Sequence, residues 1–450
     1  MEDIDEVRTM VEIHSHPRPR EVMTRIPSGA EEKEGASAYL REQISGNPVI
    51  LAQIFRHLAP SDLKSAALVS RTWRSLVEQP RYWRWAETRI TRADFGQKFR
   101  SRRLRNIGSV RTDLSEVQIR KLFLSLSDWR LSSLAVSYIN LSSVPAELLS
   151  SAIVCLQQVE LCLCRLSPEQ VRAVFSKVAE RDDLPLRSLS INFTDLTSVP
   201  GPVLARALVR LTSVNLWLCR LSSAQVSALF TAIQQSSSSE LALTRLTLNP
   251  SGLSSLPPSL FSAAVLRLQE VNFSYSDLSS QQLSQLFSEI LAAKQLSLRV
   301  LQLNSTNLSS LPASLLAGAA VRLERLDLYN SCLTGQQVEA VLQSVLAQPS
   351  SLPLTNINMG GNELSAVPAE LLAMASLRLG ELRLADSQLT GEQVSAVFRA
   401  FLASGQENSR TNRCLHIGEK EVAAVPPEVL SEAQQKLQHC HLTNSWCLTG

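Results

Sequence analysis

The sequence predicts an α/β protein: a solenoid with a parallel sheet on its inner side and helices on its outer side, preceded by a small three-helix domain. Three observations carry that prediction. A short pattern of alternating leucines, L-x-x-L-x-L, recurs through residues 104–450. Each copy runs into a stretch whose apolar residues fall at helical spacing. Residues 47–92 lack the repeat and show their own helical pattern, punctuated by prolines.

The copies fall into two alternating units. One begins at Leu156, Leu211, Leu268, Leu323 and Leu379, with degraded copies at Leu104 and Leu437. The other begins at Leu131, Leu186, Leu243, Leu298 and Leu354, with a weak copy at Asn412. Successive full periods are 55, 57, 55, 56 and 58 residues, and each second unit precedes the next first unit by 25. Alternation in L-x-x-L-x-L describes a short strand with one face buried. The first unit then continues as "LSPEQVRAVFSKV" or "LTGEQVSAVFRAF", where Ser167 or Thr390 is placed to cap a helix. The second continues as "VPAELLSSAIV", with proline at the first helical turn, where its missing N–H costs nothing. Written out, both are L-x-x-L-x-L-x-x-(N/C)-x-L, and on this motif the chain resembles the leucine-rich-repeat family from residue 104 to 450. The alternation of two unit lengths resembles the ribonuclease-inhibitor type of horseshoe.

The repeat also accounts for "VELCLCRLSPEQV", residues 159–171, whose two cysteines invite a metal or redox reading. The neighbouring copy "VNLWLCRLSSAQV" keeps Cys219 but has Trp217 in place of the first cysteine. Cys164 and Cys219 therefore occupy the N/C slot, facing the backbone of the turn, as Thr112, Ser276, Ser331, Ser387 or Asn362 do elsewhere. Cys162 falls on the exposed strand face. Eight cysteines behind a charged start that reads as no export signal point to reduced, buried thiols and a cytoplasmic or nuclear location.

Composition excludes more than it assigns. Of 450 residues 44% are hydrophobic and the net charge is +3, so no global field marks a nucleic-acid or membrane-surface binder. No apolar run reaches the ~18 residues of a membrane span. Residues 1–46 are polar, net −4, and read as a disordered tail. Residues 47–103 are net +8, and "KFRSRRLR" marks 93–103 as a basic linker. No phosphate loop or nucleophile elbow is present. No catalytic residue, cofactor or metal is expected. His416 and His441, at the same place in consecutive strand patterns, are expected to be cross-strand neighbours, with no carboxylate or thiol to complete a metal site.

In residues 47–92 one helix carries Leu51, Ile54, Phe55 and Leu58, and Pro60 ends it. Ser61 and Asp62 offer caps for a second, and a third starts near Ser70, carries Trp73 and Leu76, and ends at Pro80. Three such short helices cannot bury every apolar side chain on one another. The spacing of Leu51, Ile54, Phe55 and Leu58, then Pro60, Asp62 and Leu63, then Val69, Arg71, Trp73 and Arg74, then Pro80, Tyr82 and Trp83 resembles the F-box. One departure is "GNPVI" at the helix start, without the family's glutamate. The resemblance implies docking on the Skp adaptor of a cullin–RING ubiquitin ligase (SCF), with contacts at Pro48, Leu51, Ile54, Phe55, Leu58, Leu63, Val69 and Trp73. A plain helical cap on the solenoid is the alternative reading of the segment.

With no site for chemistry, recognition falls to exposed strand positions. Counting the first leucine of a copy as zero, Asn192, Asn249 and Asn304 recur at position six of the second unit, which marks an architectural column. The first unit varies there, and Trp217, Tyr275, Tyr329 and Phe193 are expected to form an aromatic patch rimmed by Glu160, Asp327 and Arg383. Aromatic anchors with a charged rim suit a protein interface. The sequence thus reads as a non-catalytic substrate receptor with an unidentified protein target. An interaction scaffold without cullin and an inhibitor-like binder stand as alternatives.

Overall fold

The computed structural model describes residues 48–77 except 56, 57 and 59; 87–90; 109–126 except 113; and 131–449 with short gaps, the longest at 404–413. The tail at 1–46 and the linker at 93–103 lie outside the described residues. The chain divides into two compact units, 1–77 and 78–450.

The first unit holds three short helices, α1 (Pro48–Phe55), α2 (Pro60–Ala66) and α3 (Arg71–Val77). Pro60 opens α2 rather than merely ending α1, consistent with proline's preference for the first helical turn. Ser70 caps α3 by accepting from Trp73 N at 3.1 Å. Both α1 and α2 pack on α3. Leu51, Phe55, Leu63, Ala66, Leu76 and Val77 are buried, and Phe55 meets Trp73 edge-on at 5.2 Å.

The second unit is built on one 15-stranded sheet. Strands β1 (Glu87–Ile90), β2 (Ser109–Thr112), β3 (Ser133–Ser137), β4 (Gln158–Cys162), β5 (Ser188–Asn192), β6 (Ser213–Leu216) and β7 (Arg245–Leu248) follow in chain order. They continue as β8 (Glu270–Asn272), β9 (Val300–Gln302), β10 (Arg325–Asp327), β11 (Asn356–Asn358), β12 (Glu381–Arg383) and β13 (Cys414–Gly418). All of these pair in parallel with their sequence neighbours. One apolar residue per strand stacks in register, as with Leu246, Val271, Leu301 and Leu326, all buried.

The two sequence units become two helix lengths. After the first unit come 13-residue helices: α6 (Pro168–Glu180), α8 (Ser223–Gln235), α10 (Ser280–Ala292), α12 (Gly335–Ala347) and α14 (Gly391–Ala403). After the second come helices of eight or nine: α5 (Ala146–Val154), α7 (Gly201–Val209), α9 (Pro258–Val265), α11 (Ala313–Ala320) and α13 (Ala369–Ser376). An earlier helix, α4 (Glu116–Ser125), follows β2. Ser167 and Thr390 cap as expected, accepting from Gln170 N and Gln393 N at 3.2 Å. The glutamine of each box does more. Buried Gln170, Gln225, Gln282, Gln337 and Gln393 each donate through Nε2 to two backbone carbonyls of the preceding unit, at 2.5–2.9 Å. These carbonyls lie in the turn before the shorter helix: the first of each pair also accepts a turn bond from the N–H three residues on, as Leu253 O does from Leu256 N at 3.0 Å, and the second has no other backbone donor among the described residues. A column of buried amides therefore stitches each long helix to its neighbour.

The N/C slot behaves as the repeat requires. Cys164 Sγ, Cys219 Sγ and Ser331 Oγ donate to Val136 O, Ile191 O and Leu303 O at 3.3, 2.8 and 2.9 Å. Burial pushes the thiols of Cys164 and Cys219 up to about 12. Asn362 fills the slot with both ends of its amide, accepting from Ser331 N and Leu333 N and donating to Leu328 O and Met359 O.

Several expectations need correction. Ser109 pairs with Ser133, so the first copy is framed three residues later than Leu104, and Thr112 is a strand residue opposite Val136 rather than a slot residue. The sheet starts earlier still, at β1, inside the segment assigned to 47–92. The last copy adds no parallel strand. Residues Gln438–Leu442 (β14) and Ser445–Thr449 (β15) form an antiparallel pair, with β15 against β13. His441 therefore pairs with Trp446, and His416 with Cys447. Cys162 is 1% exposed rather than a surface residue, since this small side chain stands between Ser137 and Asn192 in the register; burial raises its thiol to about 11. Cys155, Cys162, Cys164, Cys219 and Cys332 are free thiols, but Cys414 is disulfide-bonded to a side chain outside the described ones.

Candidate functional site

Two surfaces stand out, one on each unit. On α1 the sequence PVILAQIF is apolar nearly all round. Residues four apart share a helix face, so Leu51 and Phe55 point inward and Ile50 and Ile54 outward, 38% and 41% exposed. Leu68 and Val69, in the turn after α2, are 78% and 62% exposed. The expected contact set thus splits. Ile54 and Val69 are surface, and Leu58 and Trp73 are half-buried. Pro48 opens α1, its side chain outside those described. Leu51, Phe55 and Leu63 are corrected to core, 0–1% exposed, since the pairing of short helices uses them first. Ile50 and Leu68, which the motif did not single out, join the surface.

On the sheet, the residue seven places into most copies adopts a left-handed backbone, Pro250 being an exception. Tyr138, Leu163, Phe193, Leu218, Tyr275, Ser305, Asn330 and Asp386 have φ between 51° and 60°. A non-glycine residue there costs about 1 kcal/mol or more, maintained by the surrounding packing. The turn carries these side chains past the strand end, and Tyr138, Leu218 and Tyr275 are 42–49% exposed.

The predicted patch is partly assembled. Trp217 reaches across β7 to Tyr275, edge to face, with centroids 5.7 Å apart. Tyr329 donates through its hydroxyl to Asp386 Oδ2 at 3.2 Å, two strands away. Its ring crosses Gly360, where an added Cβ would come within 3.1 Å of the ring and 2.6 Å of Ala385 O, so a side chain there would displace the tyrosine. Burial, and then the nearby carboxylate of Asp386 and phenol of Tyr275, push the Tyr329 hydroxyl's pKa up. Asp327 supports Tyr329 from below. Its Oδ1 accepts from Tyr329 N at 3.3 Å and, with the Asn304 amide turned to meet it, from that nitrogen at 2.6 Å. Burial holds the Asp327 carboxyl above its ordinary range despite these donors. Asn215, Asn272 and Asn358 accept in the same way from the backbone two residues on, at 2.9–3.1 Å, so this column ends strands.

Arg383 is held by Glu381, Nε to Oε1 at 2.7 Å, and His416 Nε2 lies 3.2 Å from the same oxygen. The bond from His416, with Arg383 beside it, holds Glu381 down at about 2. Glu160 lies half-buried on β4, and Phe193 makes no ring contact among the described residues. Of the architectural asparagines, Asn249 accepts from Leu218 N at 2.7 Å, whereas buried Asn192 Oδ1 meets no partner. Asp386 escaped the sequence reading because its column looked like plain turn. The described residues hold no cluster of three or more metal-binding side chains, and none of their helices is long and apolar enough to cross a membrane.

Fold and surfaces together define a class: a small helical domain and a solenoid of leucine-rich strand–helix repeats. Residues 48–86 match the F-box-like family model, so this segment is an F-box-like domain. No curated protein sequence matches the chain. Among solved structures, the Rad7–Elc1 complex from yeast aligns at 15% identity over 80% of this chain and 95% of that one, with a TM-score of 0.41. The leucine-rich-repeat protein LegL7 from Legionella pneumophila aligns at 15% identity over 78% and 96%, with a TM-score of 0.37.

Proposed function

We propose that the chain is a non-catalytic substrate receptor of an SCF-type ubiquitin ligase. The helical unit binds the Skp adaptor, and through it a cullin–RING ligase, while the inner face of the repeats holds a protein target. The carrying observation is the coincidence of the F-box-like match with four exposed apolar side chains, Ile50, Ile54, Leu68 and Val69, on a unit of three short helices. Exposed apolar side chains on so small a unit suit a protein interface. The receptor contributes proximity, placing target lysines near a ubiquitin-charged enzyme.

Co-expression of the full chain with the Skp adaptor and a cullin tests this. Recovery of all three supports the receptor. Recovery of the adaptor without cullin points to a scaffold, and recovery of neither to an inhibitor-like binder.

A further inference from the structure

The inner face carries a charge asymmetry that speaks to the chemistry of its target, granting that a target binds there. Trp217, Tyr275 and Tyr329 lean toward the ends of their strands, and in the turns following β8 to β12 every charged residue at that edge is a carboxylate: Asp277, Glu363 and Asp386. The opposite edge, where those strands begin, is mixed, with Arg325 opening β10 but Glu270 and Glu381 opening β8 and β12; Arg383, at the end of β12, is held by Glu381. Asp277 is already saturated by Gly252 N and by the backbone and hydroxyl of Ser254, at 2.9–3.4 Å. Asp386 is different. Its Oδ2 accepts from Tyr329, yet a carboxylate offers about four acceptor sites, and the residue is exposed. Glu363 is exposed as well and makes no ion pair among the described residues.

We propose that the segment recognised here is cationic: an arginine or lysine lies along the Tyr329 ring with its charge on Asp386, and an apolar residue packs against the Trp217–Tyr275 pair. A cation over an aromatic face and a charge-assisted hydrogen bond reinforce each other in one position. Tyr275 and Tyr329 belong to copies two strands apart, roughly 10 Å at about 4.8 Å per strand. The anchor and the cation then stand about three residues apart in an extended segment, or about seven in a helix.

A random dodecamer library selected by display against the full chain tests this. Enriched peptides are expected to be basic, with that apolar–basic spacing, and to weaken about tenfold on Asp386→Asn. That substitution removes the charge but keeps a carbonyl for the Tyr329 hydroxyl. Replacing the peptide's arginine by citrulline should weaken binding similarly, and the two losses should not add. Enriched peptides that are acidic or neutral but still require Trp217 and Tyr329 overturn the cationic assignment and leave the docking face standing. Peptides that bind Trp217→Ala and Tyr329→Ala as well as the parent, or no enrichment at all, overturn both. Retention of full affinity in Asp386→Asn overturns the role of that carboxylate.

Discussion

Replacing Gln282 by alanine removes one link of the buried amide column. Gln282 is fully buried; its Nε2 donates to Leu253 O and Leu256 O at 2.7 and 2.9 Å, and its Oε1 accepts from Ser279 N at 2.9 Å. The substitution strands the Leu256 carbonyl and the Ser279 N–H where water has poor access, and leaves Leu253 O only its turn bond from Leu256 N at 3.0 Å. At about 1–3 kcal/mol for each unsatisfied buried group, and allowing for relaxation or an entering water, the expected loss is about 2–4 kcal/mol. Gln281, its exposed neighbour on the same helix, should cost less than about 0.5 kcal/mol on the same change. Repeats lose stability locally, so the assay is hydrogen exchange by mass spectrometry beside urea unfolding. Protection should fall first over residues 253–265 and 280–292. If Gln282→Ala unfolds like Gln281→Ala, with protection unchanged, the amide column is not what joins the units.

Other outcomes follow from the same contacts. Cys164→Ser and Cys219→Ser should fold and bind no stoichiometric zinc by metal analysis, because Ser331 already makes the equivalent carbonyl bond in its own unit. Glu381, held at about 2 in the folded chain against roughly 4.3 in an unfolded one, contributes stability that is complete above about pH 4.5 and lost as pH falls toward 2. That amounts to about 3 kcal/mol, so acid unfolding of Glu381→Gln should start from a lower plateau and respond less across that window. Trp217→Ala and Tyr329→Ala should each weaken target capture about thirtyfold, the loss expected of an interface anchor. Their melting curves should stay close to the parent's.

Repetition made most of the fold legible. A column seen in five copies separates the slot cysteines, the caps and the strand faces without any structure. Apart from Cys162, in a well-formed copy, the misreadings fall where the copies decay or the elements are short. Leu104, Ile107 and Val110 are spaced by three, so two frames three residues apart fit equally well, and only pairing with Ser133 chooses between them. Alternation in "LQHCHL" describes a strand of either direction; the two residues before Ser445 leave room for a hairpin but not for a parallel crossover. In α1 both faces are apolar over eight residues, so periodicity had no contrast with which to tell Leu51 from Ile50. The caps were legible at Ser167 and Thr390, but the glutamines three residues on were not singled out, since their bonds to the neighbouring unit depend on tertiary placement. Asp386 was hidden similarly, since its meeting with Tyr329 spans 57 residues.

The central claim, that the helical unit docks on the Skp adaptor, rests on residues at the surface of that unit. Alanine at Leu51 or Phe55 would confound it by emptying the core. Ile54→Glu combined with Val69→Glu leaves the core intact and places two charges where the adaptor would bury them. Each isoleucine or valine buried at an interface is worth about 1.5–3 kcal/mol, so calorimetric titration of the adaptor into this variant should show at least a hundredfold loss of affinity with the melting temperature unchanged. Adaptor binding at parental affinity would contradict the account.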